Sequence, residues 1–212
     1  MRREDIAQVT EIDRAAFPTL WPPANYQREL QNRLAHYVVT GDSERTVEPP
    51  PAKPVSENRF LRLLSRARHL FAYDRFFGEP LPPSGREYVV GFAGIWIMAD
   101  EAHITSIAVR SSYLGQGIGE LLLVSIINLA VELNTRLLTL EVRRSNNIAQ
   151  SLYHKYGFTQ VGVRRGYYSD NYEDGLLLST EDITADGFQA RLEQLKQAHA
   201  QKWGTATYEI GR

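Results

Sequence analysis

Cysteine is absent from all 212 residues, so disulfides and thiolate chemistry are excluded and a reducing compartment is permitted. Long apolar runs are missing as well: no stretch approaches the roughly 20 residues of a membrane-spanning helix. The start, MRREDIAQVTEIDRAAF, breaks its apolar positions with charges and lacks the core of a signal peptide. Net charge is nearly nil, with Lys+Arg 24 against Asp+Glu 25, so no global field draws the chain to nucleic acid or a membrane. Any partner must therefore be selected by a local site. These absences set the expectation of a cytoplasmic protein, and the length fits one packed domain with additions.

What is present concentrates between Ile104 and Phe158. A β-type run leads into the turn SSYLGQGIG at Ser111 to Gly119, followed by a long apolar segment without Gly or Pro. Glycines at alternate positions let backbone N–H groups converge, and the helix behind them adds the positive end of its dipole, so a phosphate is a natural occupant. Two common phosphate motifs fail here. A dinucleotide fingerprint beginning at Gly115 requires glycine where Glu120 stands, and no Gly-Lys-Ser/Thr ends the turn as a P-loop requires.

The next β-type run, LLTLEV, puts Glu141 between Leu140 and Val142. Desolvation in such a strand raises a carboxylate's pKa toward that of a useful base, with a salt bridge to Arg143 or Arg144 as the structural alternative. Ser145 is expected to N-cap the following helix and Gly157 to close it. Along that helix Tyr153 can aim a hydroxyl at the sheet edge, although most helical tyrosines only pack. His103, at the mouth of the strand before the turn, is a further candidate polar group, and a lone histidine is more often structural.

Elsewhere the pattern predicts scaffold. Ile6, Val9, Ile12, Ala16 and Phe17 mark an amphipathic helix ended by Pro18, with Trp21 in a rigid turn as core or hinge. Asn25 to Leu34 resumes a helical pattern, and His36 to Thr40 reads as a strand. Residues 41–86 form a Pro-rich and basic insertion with its own helix. Its basic face could touch RNA, a membrane surface or a partner chain, the plainer reading being a packed helix with a solvated face. Glu87 to Met98 is a strong strand signal in which Gly91 and Gly94 allow a turn or bulge. Two strands, Phe158 to Arg164 and Asp174 to Ser179, are expected to flank an aromatic loop with Tyr167, Tyr168 and Tyr172. A mostly polar helix from Phe188 to Ala200 then reads as a C-terminal attachment.

Five segments in order, IAV at Ile107 to Val109, GQGIG at Gly115 to Gly119, LEVRRSN at Leu140 to Asn146, SLYHKYGF at Ser151 to Phe158 and RRGYY at Arg164 to Tyr168, resemble the GNAT acyl-CoA N-acyltransferases. The resemblance is closer to the branch that acetylates the N-terminal alanine of a ribosomal protein, and it leaves 41–86 outside. It implies an α/β (α+β) GNAT fold: a mixed, mostly antiparallel central sheet flanked by helices, spanning 1–181, with 182–212 as a helical extension. It implies acetyl-CoA as acetyl donor and no metal. Ile107, Ala108 and Val109 would meet the pantetheine arm, Gly115, Gln116, Gly117, Ile118 and Gly119 would cradle the pyrophosphate, and Asn146 would contact the cofactor arm. Glu141 matches the branch's general base, Tyr153 its general acid, and Tyr167 and Tyr168 would hold the acceptor's backbone. Leu114 departs from the Gln or Arg with which the family's turn usually begins; because backbone groups make most of the cradle, side-chain contact is weakened rather than binding lost.

The implied reaction is transfer of acetyl to the N-terminal amine of a small-subunit ribosomal protein. An attacking amine must lose a proton, the oxyanion needs donors such as the Val109 N–H, and the departing thiolate gains from a proton. An α-amine with a reference pKa of about 8 is easier to use than lysine at about 10.4. The alternatives are a GNAT acetyltransferase for lysine or small amines, or a non-catalytic module that senses acyl-CoA.

Overall fold

The computed structural model describes residues 1–18, 24–47 and 86–206. Six strands form one sheet in the order β1-β2-β3-β4-β6-β5. They are β1 (Ala35–Val47), β2 (Arg86–Met98), β3 (Glu101–Val109), β4 (Leu137–Arg143), β5 (Thr159–Tyr168) and β6 (Glu173–Ser179). The helices are α1 (Ile6–Ala16), α2 (Tyr26–Glu29), α3 (Ile118–Glu132), α4 (Asn147–Lys155) and α5 (Asp186–Trp203). β3 and β4 pair in parallel, as a crossover through α3 requires, whereas β2–β3, β4–β6 and β6–β5 are antiparallel. Residues 1–41 with 89–212 form one compact unit, and 42–88 form a second.

Hydrophobic cores account for the layers. α3 is apolar nearly all round and buries Leu122, Leu123, Ile126, Ile127 and Ala130 with Ile104, Leu138, Leu140 and Leu178 of the sheet. The C-terminal helix α5 joins that core through Phe188 and Leu192, each nearly inaccessible. A smaller core gathers Val9 and Ile12 of α1, Tyr26 of α2 and Val89, Phe92 and Ala108 of the sheet.

Several sequence expectations shift. The helix expected over Asn25 to Leu34 is a four-residue turn of helix, Tyr26–Glu29, after which the chain bends into β1. β2 is one continuous strand rather than two, with an irregularity at Gly94/Ile95 and none at Gly91. Both glycines are there for close packing: a Cβ on Gly94 would run into the Tyr37 ring, and one on Gly91 would stand 2.9 Å from the Ala108 carbonyl oxygen. Tyr167 and Tyr168 lie on β5, not in a loop, because its pairing with β6 reaches Tyr168↔Glu173. Asn146, not Ser145, caps α4, its side chain accepting from the Ala149 N–H. Trp21 and nearly all of the 41–86 insertion, including its expected helix, fall outside the described residues.

Candidate active site

The site begins with a change of register. Gly94 of β2 faces Ser106 of β3 but Ile95 faces Ile104, so Thr105 is an extra residue on β3, a bulge that bends the strand. The parallel β3–β4 pairing ends at Ile104↔Leu140, although β3 stays on β2 to Val109 and β4 stays on β6 to Arg143. The two strands therefore part, and the facing edges of Thr105–Val109 and Glu141–Arg143 are left without strand partners on that side. Ile107, Ala108 and Val109 lie on this opened edge of β3. Glu141 is the first residue past the split on β4.

Beyond β3 the chain reaches the glycine turn. Gly115 and Gly117 have φ of +77° and +78°, a conformation costly to any residue with a Cβ, and Gly117 is the N-cap of α3. The first-turn N–H groups of Ile118, Gly119 and Glu120 have no intrahelical acceptors. Gln116 sits in the turn with its amide donating to the Ser112 carbonyl. A Cβ at Gly115 would meet nothing within 4 Å, so this side is open to a ligand. Glu120 could oppose an anion here, but Lys155 Nζ at 2.5 Å and the Tyr156 hydroxyl at 2.7 Å hold its carboxylate, and the lysine and tyrosine bonds keep its pKa below the usual value despite burial. The turn thus has the main-chain donors and the open face that a pyrophosphate requires.

Sequence reasoning missed two residues at this turn. His199 Nε2 lies 3.0 Å from the Gly117 carbonyl oxygen, and a Cβ on Gly117 would stand 2.6 Å from the Trp203 ring. Both come from α5, whose only sequence signal was its weak apolar stripe.

Glu141 has a side chain only 6% exposed, with Oε2 3.1 Å from His103 Nε2 and Oε1 2.9 Å from Arg164 Nη2. The Arg164 contact is an ion pair without an aligned hydrogen bond, which leaves Oε1 short of a donor. The expected upward pKa shift is corrected here: the His103 hydrogen bond outweighs desolvation, and His103 and Arg164 together hold the carboxyl below its usual value. Neither Arg143 nor Arg144 pairs with it. Arg143 Nη2 donates to both Asp170 carboxylate oxygens, its Nη1 reaches Glu173, and its guanidinium stacks 4.0 Å above the Tyr168 ring, while Arg144 faces Asp174.

Tyr153 is fixed by the way α4 ends. Gly157 adopts φ +86°, the Phe158 N–H bonds to the Tyr153 carbonyl and the Gly157 N–H to that of His154. This is a Schellman closure, and its usual apolar contact is the Phe158 ring 5.6 Å from that of Tyr153. Burial lifts the Tyr153 phenol to about 12, so it stays protonated, and no described residue hydrogen-bonds its hydroxyl. The two β5 tyrosines part company. Tyr168 is buried under Arg143, whereas Tyr167 is 38% exposed, and its pKa is raised first by partial burial and then by the nearby Glu141 carboxylate. Asn146 spends its side-chain oxygen on the α4 cap, leaving its amide hydrogens.

A split between strands, an anion cradle, an ionised carboxylate and a protonated phenol suit acyl transfer to an amine. The model of the acetyltransferase (GNAT) family matches residues 6–158. A protein of Bacillus subtilis (strain 168), provisionally named a ribosomal protein bS18-alanine N-acetyltransferase, is 35% identical over 179 residues, 84% of this chain and 90% of the relative. The Escherichia coli (strain K12) ribosomal protein bS18-alanine N-acetyltransferase is 34% identical over 108 residues, 50% of this chain and 72% of the relative. The crystal structure of the ribosomal-protein-S18-alanine N-acetyltransferase from Escherichia coli matches with a TM-score of 0.58 at 21% identity, covering 87% of this chain and 92% of that one. The structural likeness establishes the fold.

Proposed function

We propose that this chain, which belongs to the acetyltransferase (GNAT) family, moves an acetyl group from acetyl-CoA to the N-terminal α-amine of ribosomal protein S18. It is an acetyl-CoA-dependent N-acetyltransferase. The finer reading concerns the acceptor and the residues that act on it. Its support is the position of Glu141 as the first residue past the β3–β4 split, ionised, with exposed Tyr167 beside it.

Acetyl-CoA is the substrate that supplies the activated thioester. Main-chain groups of Ile107, Ala108 and Val109 line its arm, the turn from Gly115 through Gly119 holds its pyrophosphate, and Asn146 offers its amide to the arm. The amine nitrogen attacks the thioester carbon, its proton passes to Glu141 Oε1, and the Tyr153 hydroxyl gives its proton to the departing thiolate. Tyr167 holds the acceptor's backbone, and Tyr168 supports it from beneath.

The lowered pKa of Glu141 bears on selectivity. A carboxyl below its usual value is a poor base for a full ammonium, so the amine must arrive largely neutral. At pH 7 roughly a tenth of an α-amine with pKa about 8 is neutral, against roughly one part in 2,500 of a lysine at about 10.4. That is a difference of about 200-fold before any contact is made, and it favours an N-terminus.

The test is a peptide with the S18 N-terminal sequence that begins with alanine and also contains lysine. Mass mapping after incubation with acetyl-CoA should place the acetyl group on the α-nitrogen. Acetyl on the lysine at comparable yield would move the reading to a lysine acetyltransferase.

A further inference from the structure

The parallel register sets His103 directly across from Thr139, one pair before the β3–β4 split. His103 Nδ1 lies 2.9 Å from Thr139 Oγ1, and that hydroxyl donates to Glu101 Oε1 at 2.5 Å. A hydroxyl carries one hydrogen. Since Thr139 commits it to the Glu101 carboxylate, its oxygen can only accept from His103, and Nδ1 must bear a proton. On the other side Nε2 faces Oε2 of Glu141 at 3.1 Å. An ionised carboxylate can only accept, so Nε2 must bear a proton too. With both nitrogens donating, the contacts are those of an imidazolium.

We propose that His103 is a positioning residue for acetyl transfer, clamped as an imidazolium between Glu141 and the Thr139–Glu101 pair. It holds Oε2 and leaves Oε1 to receive the proton of the attacking amine. The proposal rests on Glu141 being the proton acceptor. The balance is simple: the N–H proton moves to Oε1, Oε2 becomes the carbonyl oxygen of the acid and still accepts from Nε2, and His103 gains and loses nothing.

The charged groups around this pair divide into fixed and movable. Glu101 reaches the ring through Thr139, and Glu141 faces it from β4. From β5, Arg164 meets Oε1 with a side chain 53% exposed, and Tyr167 lies close by. Arg164 is held by a single unaligned contact and by the face of Tyr167, 5.4 Å from its ring, so an incoming amine can displace it from Oε1. His103, held at both nitrogens, stays. A carboxylate that lost the partner on Oε2 would titrate higher.

Two readouts test this. The first is kcat/KM of His103→Gln divided by that of the unmodified enzyme, measured on an alanine-initiated peptide from pH 5.5 to 8.5; taking the ratio cancels the titration of the amine itself. The ratio should rise several-fold across the range, because losing the opposite charge at this distance raises the pKa of Glu141, with acceptor KM unchanged. Thr139→Val should show the same trend to a lesser degree and Thr139→Ser should restore the original profile. A ratio equally low at every pH means that His103 merely supports the strands, and overturns the proposal.

The second readout is the imidazole nitrogen NMR spectrum of the resting enzyme at pH 7, with His103 assigned among the five histidines by its loss in His103→Gln. Both nitrogens should be protonated in the unmodified enzyme, and one should be bare in Glu141→Gln. A bare nitrogen in the unmodified enzyme overturns the imidazolium. Full activity in Glu141→Gln would instead remove Glu141 as acceptor, and the positioning role with it, while leaving the imidazolium visible by NMR.

Discussion

Gly115 to Gly119 and the surroundings of Glu141 differ in what they are made of. The first offers main-chain N–H groups at the start of a helix, with two glycines in positive φ. The second is a set of charged side chains from β3, β4 and β5, held by ion pairs at 2.9 and 3.1 Å. A backbone cradle tolerates changes in its side chains, so Leu114 can replace the family's usual polar residue without loss of the turn. A charge cluster has less tolerance, since removing His103 or Arg164 leaves the buried Glu141 carboxylate less balanced. Mutations in the two regions should therefore separate donor binding from turnover.

The largest effect is expected at Glu141. Glu141→Gln should lower kcat by about 10²- to 10⁴-fold, the usual worth of a positioned acid or base, with acetyl-CoA affinity by calorimetry unchanged. A parallel loss of donor affinity would break the separation. Tyr153→Phe should cost about 10²-fold in kcat, the low end of that range, again at constant donor affinity. Because no described group bonds the hydroxyl, its removal should leave the melting temperature in place.

Gly117→Ala probes the other region. Its φ of +78° and the Trp203 ring 2.6 Å from the added carbon should raise the acetyl-CoA KM by about tenfold, since left-handed backbone costs a residue with a Cβ about 1–2 kcal/mol. Here kcat should hold. Trp203→Ala should give a smaller change, about threefold or less in the same KM, as expected for an exposed contact that braces the turn. An equal fall in kcat for either variant would show that the turn also places the chemistry.

Acid stability sharpens the contrast further. The Glu141 carboxyl titrates below its usual value when folded, so its contribution to stability is present above the unfolded pKa and is lost as pH falls through the lower, folded one. The stability gap between the unmodified enzyme and Glu141→Gln, measured by urea unfolding, should be widest at pH 7 and narrow toward pH 3.5. A gap constant with pH would mean that His103 and Arg164 do not hold the carboxylate.

The same division explains what could be read from the chain. GQGIG and the YGF ending of α4 are local devices: glycine in positive φ, a helix start and a helix closure need only neighbours in sequence, and both lie where the pattern put them. Glu141 was legible as a carboxylate in an apolar strand, yet its partners were not. His103 and Arg164 meet it only through the parallel register of β3 on β4 and the placing of β5 beyond β6. Hydrophobic alternation fixes faces and not which residues stand opposite, so the expected raised pKa had the wrong sign. Tyr167 and Tyr168 were placed in a loop because the irregularity between Arg164 and Tyr168 hides how far β5 continues. The bracing of Gly117 by His199 and Trp203 depends on where α5 returns to the core, some 80 residues later, and no short-range signal carries that.

The most direct test of the account is the preference for an α-amine over lysine as pH changes. It takes kcat/KM on an alanine-initiated peptide without lysine and on an N-terminally blocked peptide with one lysine. If Glu141 accepts its proton from an amine that arrives neutral, the preference should be about 200-fold at pH 7 and fall to about 20-fold at pH 9, following the neutral fractions of the two amines. A ratio that does not change with pH, or a preference for lysine, would contradict it.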